Sequence, residues 1–245
     1  MLYCTDSSIL HSLPTGQTDA NVAGRQRCAT GVLARSPHTA ELLPADYAAL
    51  DFIVIENFLG ATETATLLQS FAGLRGTLNN KNLNNAYWQG RILFAHEVNA
   101  HSPAAGSIMQ HFQVEAARQI GNFYQLTHPL YADTVQLVLW QEGVNMPAHA
   151  DNANPDGSPH GMAWRNFSSI VYLNDDYDGG ELYFTALDRY LKPKAGMLVA
   201  FTAGFHHEHS VLKVTRGERF TMPGFYTYDA SKADRFIYPE LWNQP

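Results

Sequence analysis

The chain has 245 residues, 45% of them hydrophobic and 12% aromatic, with a formal net charge of −7. That length suits one domain with a sizeable core, and the apolar content excludes a disordered chain. The acidic balance speaks against a basic nucleic-acid surface and no apolar run reaches membrane-spanning length, so neither nucleic acid nor membrane is an expected partner. Cys4 and Cys28 belong to no close-spaced metal or redox motif, and MLYCTDSSILHSLPTG lacks the basic start and long apolar run of a signal peptide. The cytoplasm is the expected location.

Residues 1–45 read as an irregular arm or lid, with a turn at LPTGQTDANVAG and a short strand at RCATGVLA. Phe52, Val54 and Ile55 then predict a strand ending near Asn57. GATETATLLQSFAGL predicts a helix with Thr62 or Thr64 as cap and Leu67, Leu68 and Phe71 as its apolar stripe. NAYWQGRILFAHEVN looks like a turn entering a strand. The strongest helix is SPAAGSIMQHFQVEAARQIGNFYQ, where Ile108, Phe112, Ala116 and Ile120 recur every four residues and Pro103 sits at the start.

From Asp133 the pattern changes to short runs rich in Val, Ile, Phe and Tyr. TVQLVLWQEG, NFSSIVYLND, GGELYFTAL, GMLVAFTAG, SVLKVT and ERFTMPGFYTYD are six expected strands. No helix of ten or more residues fits between them, which excludes a doubly wound parallel sheet. The expected class is mainly β with supporting helices, a sandwich or barrel such as a jelly roll.

PAHADNANPDG places His149 and Asp151 two apart, which on a strand points both side chains to one face. Such a pair can hold part of a metal's coordination shell, or the aspartate can simply cap a turn. GFHHEHSVLKVTRGERF supplies His206, His207 and His209, any of which completes the two-histidine, one-carboxylate triad of non-haem iron oxygenases. His209 directly precedes a rigid strand and is preferred; His160, in a loop, competes, and a solvated histidine-rich turn is the plain alternative. Iron of this kind needs an electron source, and the chain has neither a dinucleotide fingerprint nor a haem-type cysteine, so a small co-substrate beside the metal is expected. If it is acidic, Arg219 is placed to pair with its far carboxylate and Tyr172 to add a hydroxyl. Taken singly, Arg219 reads as a surface or packing residue and Tyr172 as a core aromatic. Trp88, Trp140 and Trp164 are candidate substrate-wall residues, and Arg91 and Arg165 could pair with a substrate carboxylate. The plain reading puts the tryptophans in the core and makes the arginines structural. The 152–164 loop could close as a lid.

HAD, YLNDDYDGGELYF, LKPKAGMLVAF and HSVLKVTRGERF together resemble, across roughly residues 133–229, the Fe(II)/2-oxoglutarate-dependent dioxygenases of the prolyl-hydroxylase type. FSSIVYLNDDYDGGELYFTALD and VTRGERF are similar to the catalytic domain of prolyl 3-hydroxylases and related bacterial oxygenases. The resemblance implies a double-stranded β-helix over residues 46–245, with supporting helices within 46–130 and a catalytic core at 131–230. It implies Fe(II) on His149, Asp151 and His209, and 2-oxoglutarate on Arg219 with Tyr172, beside Val211, Phe201 and Trp140. Dioxygen is the second co-substrate and ascorbate a reductant. Gly179, Gly180 and Gly196 match turns of the family. Trp140 stands where many relatives have Tyr, and Phe225 near a position often held by Trp. A carboxylate at Asp151 implies hydroxylation rather than halogenation. The expected activity is hydroxylation of an unactivated C–H in a small molecule such as an amino acid, sugar or natural-product intermediate. Such a substrate is expected in preference to a protein. One alternative is a hydroxylase of prolyl or other residues in a peptide or protein; another is a non-enzymatic jelly-roll module that binds a metal or ligand. A long open groove would mark a peptide binder.

Overall fold

A computed structural model describes residues 41–42, 51–80, 85–156, 158 and 160–242. The expected RCATGVLA strand, both cysteines and nearly all of the expected arm lie outside the described residues. In chain order the elements are β1 (Glu41–Leu42), β2 (Ile53–Ile55), α1 (Ala61–Leu74), β3 (Ile92–Phe94), α2 (Ala95–His101), α3 (Pro103–Phe123), β4 (Tyr131–Trp140), β5 (Met146–His149) and β6 (Phe167–Tyr172). They continue as β7 (Asp178–Gly179), β8 (Leu182–Phe184), β9 (Arg189–Leu191), β10 (Leu198–Thr202), β11 (His209–Val211), β12 (Val214–Arg216) and β13 (Arg219–Thr227). No described helix is long and apolar enough to cross a membrane.

The major sheet runs β2-β10-β6-β13-β4-β3 and the minor sheet β1-β9-β8-β11-β5, with β12 paired to β7. All pairs are antiparallel except β1 with β9, where Glu41 stands opposite Arg189. The two sheets form the double-stranded β-helix that the six strand-like runs and the resemblance imply.

Strand alternation divides the core in two. Along β10, Leu198 and Ala200 join the cluster under the helices, while Val199 and Phe201 join the one between the sheets. Along β4, Val135, Leu137 and Leu139 face the helices, and Val138 and Trp140 face inward. A strand buried on both faces loses the simple apolar–polar pattern, which explains the near-continuous apolar runs. Against the outer face lie Leu67 and Phe71 of α1 and Met109, Ala116 and Ile120 of α3, all essentially buried. At about 25 cal/mol per Å² of apolar surface, this layer is a main stabilising contribution.

Three local details differ from expectation. Neither Thr62 nor Thr64 caps α1. The N-cap is Gly60, and the Thr64 hydroxyl donates back to the Gly60 carbonyl at 2.8 Å from inside the first turn. Second, α2 follows β3 with no loop: the Phe94 N–H donates to Glu97 Oε2 at 2.8 Å and starts the helix. Seven residues are too few for helical periodicity to reveal it. Third, the stripe of α3 is rotated, with Met109 and Gln113 fully buried and Ile108 and Phe112 only partly so. Gln113 is tolerated there because its Oε1 accepts from the Tyr226 hydroxyl at 2.5 Å. At the head of α3, Ser102 Oγ accepts from the Ala105 N–H and Pro103 sits in the first turn, as expected.

Candidate metal centre and co-substrate cavity

His149 ends β5 and His209 begins β11, and these two residues are register partners on neighbouring strands. Asp151 lies two residues past the end of β5 rather than on it, in a bend fixed by its N–H to the Ala203 carbonyl at 2.9 Å. The three side chains nonetheless converge, with one ligand atom from each lying within 4.8 Å of the others. His149 Nε2 is 3.5 Å from Asp151 Oδ1, and His209 Nε2 is 4.0 Å from Asp151 Oδ2.

The hydrogen bonds around the triad set which nitrogen of each ring is free. His149 Nδ1 lies 2.8 Å from the Pro147 carbonyl and His209 Nδ1 lies 3.1 Å from the His207 carbonyl. A carbonyl only accepts, so each Nδ1 carries the proton and each Nε2 turns a lone pair to the centre. The Ser168 hydroxyl donates to Asp151 Oδ2 at 2.6 Å. Burial alone would raise the Asp151 pKa, but His209, His149 and Ser168 outweigh it and hold the carboxyl well below its usual range. Burial, reinforced by His149, pushes His209 down to about 4. A carboxylate and a neutral imidazole are the forms that ligate a metal.

Arg219 opens β13 and is 0% exposed. Its Nε, Nη1 and Nη2 have no hydrogen-bond partner among the described residues, and neither do the hydroxyls of Tyr172 and Tyr177. Its guanidinium carbon lies 5.0 Å from the ring centroids of both Trp140 and Tyr172. Burial raises the Tyr172 hydroxyl well above its usual range, against the pull of the Arg219 charge, so it is held as a donor. Rings compensate a buried cation only in part. A cation and two hydroxyls without partners suit an entering carboxylate, and the donor set at the triad suits Fe(II). The residues present therefore fit both groups.

Metal triad and cation share one cavity of about 690 Å³. Trp140 lines it beside Arg219 and Phe201 beside His209, and Val211, Trp88, Arg165 and Phe225 line it as well. Trp140 keeps its indole N–H satisfied on Thr221 Oγ1 at 3.1 Å. Arg165 is held by Asp133 at 2.9 Å and lies over the Phe225 ring at 3.6 Å.

Trp164 and Arg91 are not brought to this wall. The Trp164 indole N–H donates to Asp133 at 2.8 Å. Arg91 donates to the carbonyls of Leu139 and Tyr87 and stacks near Tyr87, Trp88 and Trp140. His160 lines the cavity, while His206 and His207 bind Asp51 instead. Tyr177, Ser168 and Asp133 escaped sequence reading. Tyr177 carries only the sign of following a polar turn, and the other two look like ordinary strand residues.

This architecture, with two histidines and a carboxylate at the mouth of a β-helix and a buried cation inside, defines an iron-oxygenase fold and site. Residues 135–227 match the family described as 2OG-Fe(II) oxygenase superfamily. Over those residues the chain is similar to that superfamily, which implies Fe(II) as cofactor and 2-oxoglutarate as co-substrate. Mouse (Mus musculus) prolyl 3-hydroxylase 2 is 31% identical over 137 residues, covering 47% of this chain and 20% of that protein. The chain thus spans about a fifth of that relative's length. The fold is shared with the viral collagen prolyl hydroxylase of Paramecium Bursaria Chlorella virus-1, at TM-score 0.56 and 18% identity over 73% of this chain and 96% of that one. It is also shared with a prolyl hydroxylase from Trichoplax adhaerens, solved with a hypoxia inducible factor oxygen degradation domain peptide fragment, at TM-score 0.53 and 17% identity over 90% and 96%. The preference for a small-molecule partner over a protein is corrected by these relatives, which are prolyl hydroxylases, one of them holding a peptide. Chain composition and a list of possible wall residues contain no measure of how far a groove extends, which is why the sequence misled.

Proposed function

We propose that the chain is an Fe(II)- and 2-oxoglutarate-dependent hydroxylase of prolyl residues in a peptide or protein. The observation that carries it is one cavity joining the His149–Asp151–His209 triad to the buried, unpartnered Arg219. The prolyl hydroxylase relatives support the choice of substrate class.

When bound, iron and 2-oxoglutarate supply the oxidative decarboxylation by dioxygen that drives hydroxylation of a C–H bond. The chain's own residues hold and orient. His149 and His209 offer Nε2 lone pairs, and Asp151 adds negative charge. Arg219 and the Tyr172 hydroxyl take the far carboxylate of the co-substrate. Trp140 keeps water from that end, and Val211 and Phe201 line the same cavity. Trp88 and Phe225 offer flat apolar surface to a pyrrolidine ring. Arg165, braced by Asp133 and stacked on Phe225, is a preorganised donor for a main-chain carbonyl of the peptide.

The test is 2-oxoglutarate decarboxylation with iron and a panel of proline-containing peptides, each paired with the same peptide carrying alanine for proline. A proline peptide should stimulate turnover and gain one oxygen atom on proline, while its alanine partner does neither. Turnover unchanged by every proline peptide, or oxygen placed only on other residues, overturns the substrate class.

A further inference from the structure

A second group of metal-type side chains lies beside the centre: Asp51, His206 and His207 offer ligand atoms within 4.8 Å of one another. The hydrogen bonds argue against an ion there. The backbone N–H of Thr202 donates to His207 Nδ1 at 3.2 Å, and the Thr202 hydroxyl lies 2.7 Å from the same nitrogen. An Nδ1 that accepts from a peptide N–H carries no proton of its own, so in the neutral ring the proton is on Nε2. Nε2 faces Asp51 Oδ1 at 3.4 Å and donates to it. Both nitrogens are therefore engaged, and His207 has no lone pair left for a metal.

The ring is instead immobilised. Its side chain is 0% exposed and sits against Phe52, Phe184 and Phe201, with centroids 5.8–6.1 Å away. Asp51 is tied on its other oxygen to His206 Nε2 at 2.5 Å. This assembly holds the short helical turn Phe205–His207, whose last carbonyl accepts from His209 Nδ1 at 3.1 Å. The chain of contacts runs Asp51, His207 ring, His207 carbonyl, His209 Nδ1, and ends at the Nε2 that faces the triad.

We propose that Asp51 and His207 are positioning residues for the third metal ligand, fixing the ring orientation and tautomer of His209 from the residues just before β2. The inference rests on the reading of the triad as the iron site. The support reaches the ligand from far along the chain, since Asp51 is 155 residues from His206 and precedes β2.

The experiment is calorimetric titration of the metal-free full chain with Co(II), with the Co(II) absorption spectrum recorded alongside. The parent should bind one ion, and His149→Ala should abolish binding. If the parent binds none, the triad reading fails and not merely this one. His207→Phe fills the same aromatic pocket but severs both polar links. It should bind Co(II) about 10–100-fold more weakly with an altered spectrum, as loss of outer-shell support does elsewhere. His207→Gln keeps a donor for Asp51 and should recover part of the loss. Asp51→Ala, at a partly exposed residue, provides the same comparison if His207→Phe does not fold, with a several-fold weakening expected. Parent-like affinity and spectrum in both Asp51→Ala and every folded His207 variant overturn the proposal, as does a second ion in the parent that His206→Ala removes.

Discussion

Arg219 shows what a single residue contributes and what it costs. A guanidinium at 0% exposure with no hydrogen-bond partner among the described residues is held against several kcal/mol of desolvation, offset only in part by the Trp140 and Tyr172 rings. An apolar side chain of similar length should be better tolerated in the ligand-free protein. Arg219→Met is expected to leave Tm unchanged or raise it by about 2–4 °C per kcal/mol relieved. The same variant should no longer gain Tm from added 2-oxoglutarate, and its KM for the co-substrate should rise at least about tenfold. A clear fall in the ligand-free Tm would show that the cation has a structural role instead. At this scale much of the candidate site that the structure brings together could be named in advance. His149, Asp151, His209, Arg219 and Tyr172 can all be named from spacing and chemical type together with the resemblance. Asp133 and Tyr177 could not, because the significance of Asp133 is its hold on Arg165 and that of Tyr177 a hydroxyl without a partner among the described residues, which only coordinates reveal. For the same reason Arg91 and Trp164 attracted attention as charge and aromatic surface, though their hydrogen bonds lie elsewhere.

At the scale of elements, period-two alternation positions the site. Along β13, Arg219 and Thr221 point between the sheets while Met222 and Tyr226 point to the helices. The approach of the β7–β8 turn to β13 adds a second constraint. Gly180 has φ +67°, and a Cβ there would lie 2.9 Å from Arg219 Cδ and 3.1 Å from Tyr177 Cε2. Gly180→Ala should therefore cost about 1–3 kcal/mol in stability and displace the cation. The check is paired: a lower Tm together with a raised 2-oxoglutarate KM. A lower Tm alone would mean that the strain is absorbed without moving Arg219. The six principal strands and two of the three helices were visible in the sequence because each carries a full run of apolar residues. Strands β7 and β9 drew no expectation of their own, since two or three residues inside a polar or mixed stretch carry no period.

For the whole molecule, buried histidines tie folding to acidity. Burial pushes His207 down to about 4, with Asp51 only partly opposing. The unfolded chain protonates this ring below about 6.5 while the folded chain does not until about 4, so the unfolded state binds more protons between those values. Stability should be fully present above that window and fall as pH drops through it, by of order 3 kcal/mol from this ring. His149, shifted upward against the effect of its own burial by Asp151, contributes with the opposite sign, whereas His209, also pushed down to about 4, adds to the slope with the same sign as His207. Comparing Tm against pH for the metal-free parent and His207→Phe isolates the ring: the parent should lose roughly 6–12 °C more than the variant on acidification. Equal slopes would mean that His207 is protonated in the fold. The global architecture was readable from the absence of helices between strands, whereas the reach of the groove, and with it the substrate class, depends on distances between loops far apart in the chain.

Among the described residues, Glu41 and Leu42 close one border of the minor sheet, running parallel to β9. A shortened chain that starts at residue 46 would keep every side chain of the centre yet lose the strand that pairs with Arg189 and Tyr190. Bare strand borders recruit other strands. Trimming the chain to residues 46–245 is therefore expected to promote self-association, which light scattering of the two forms at equal concentration would show.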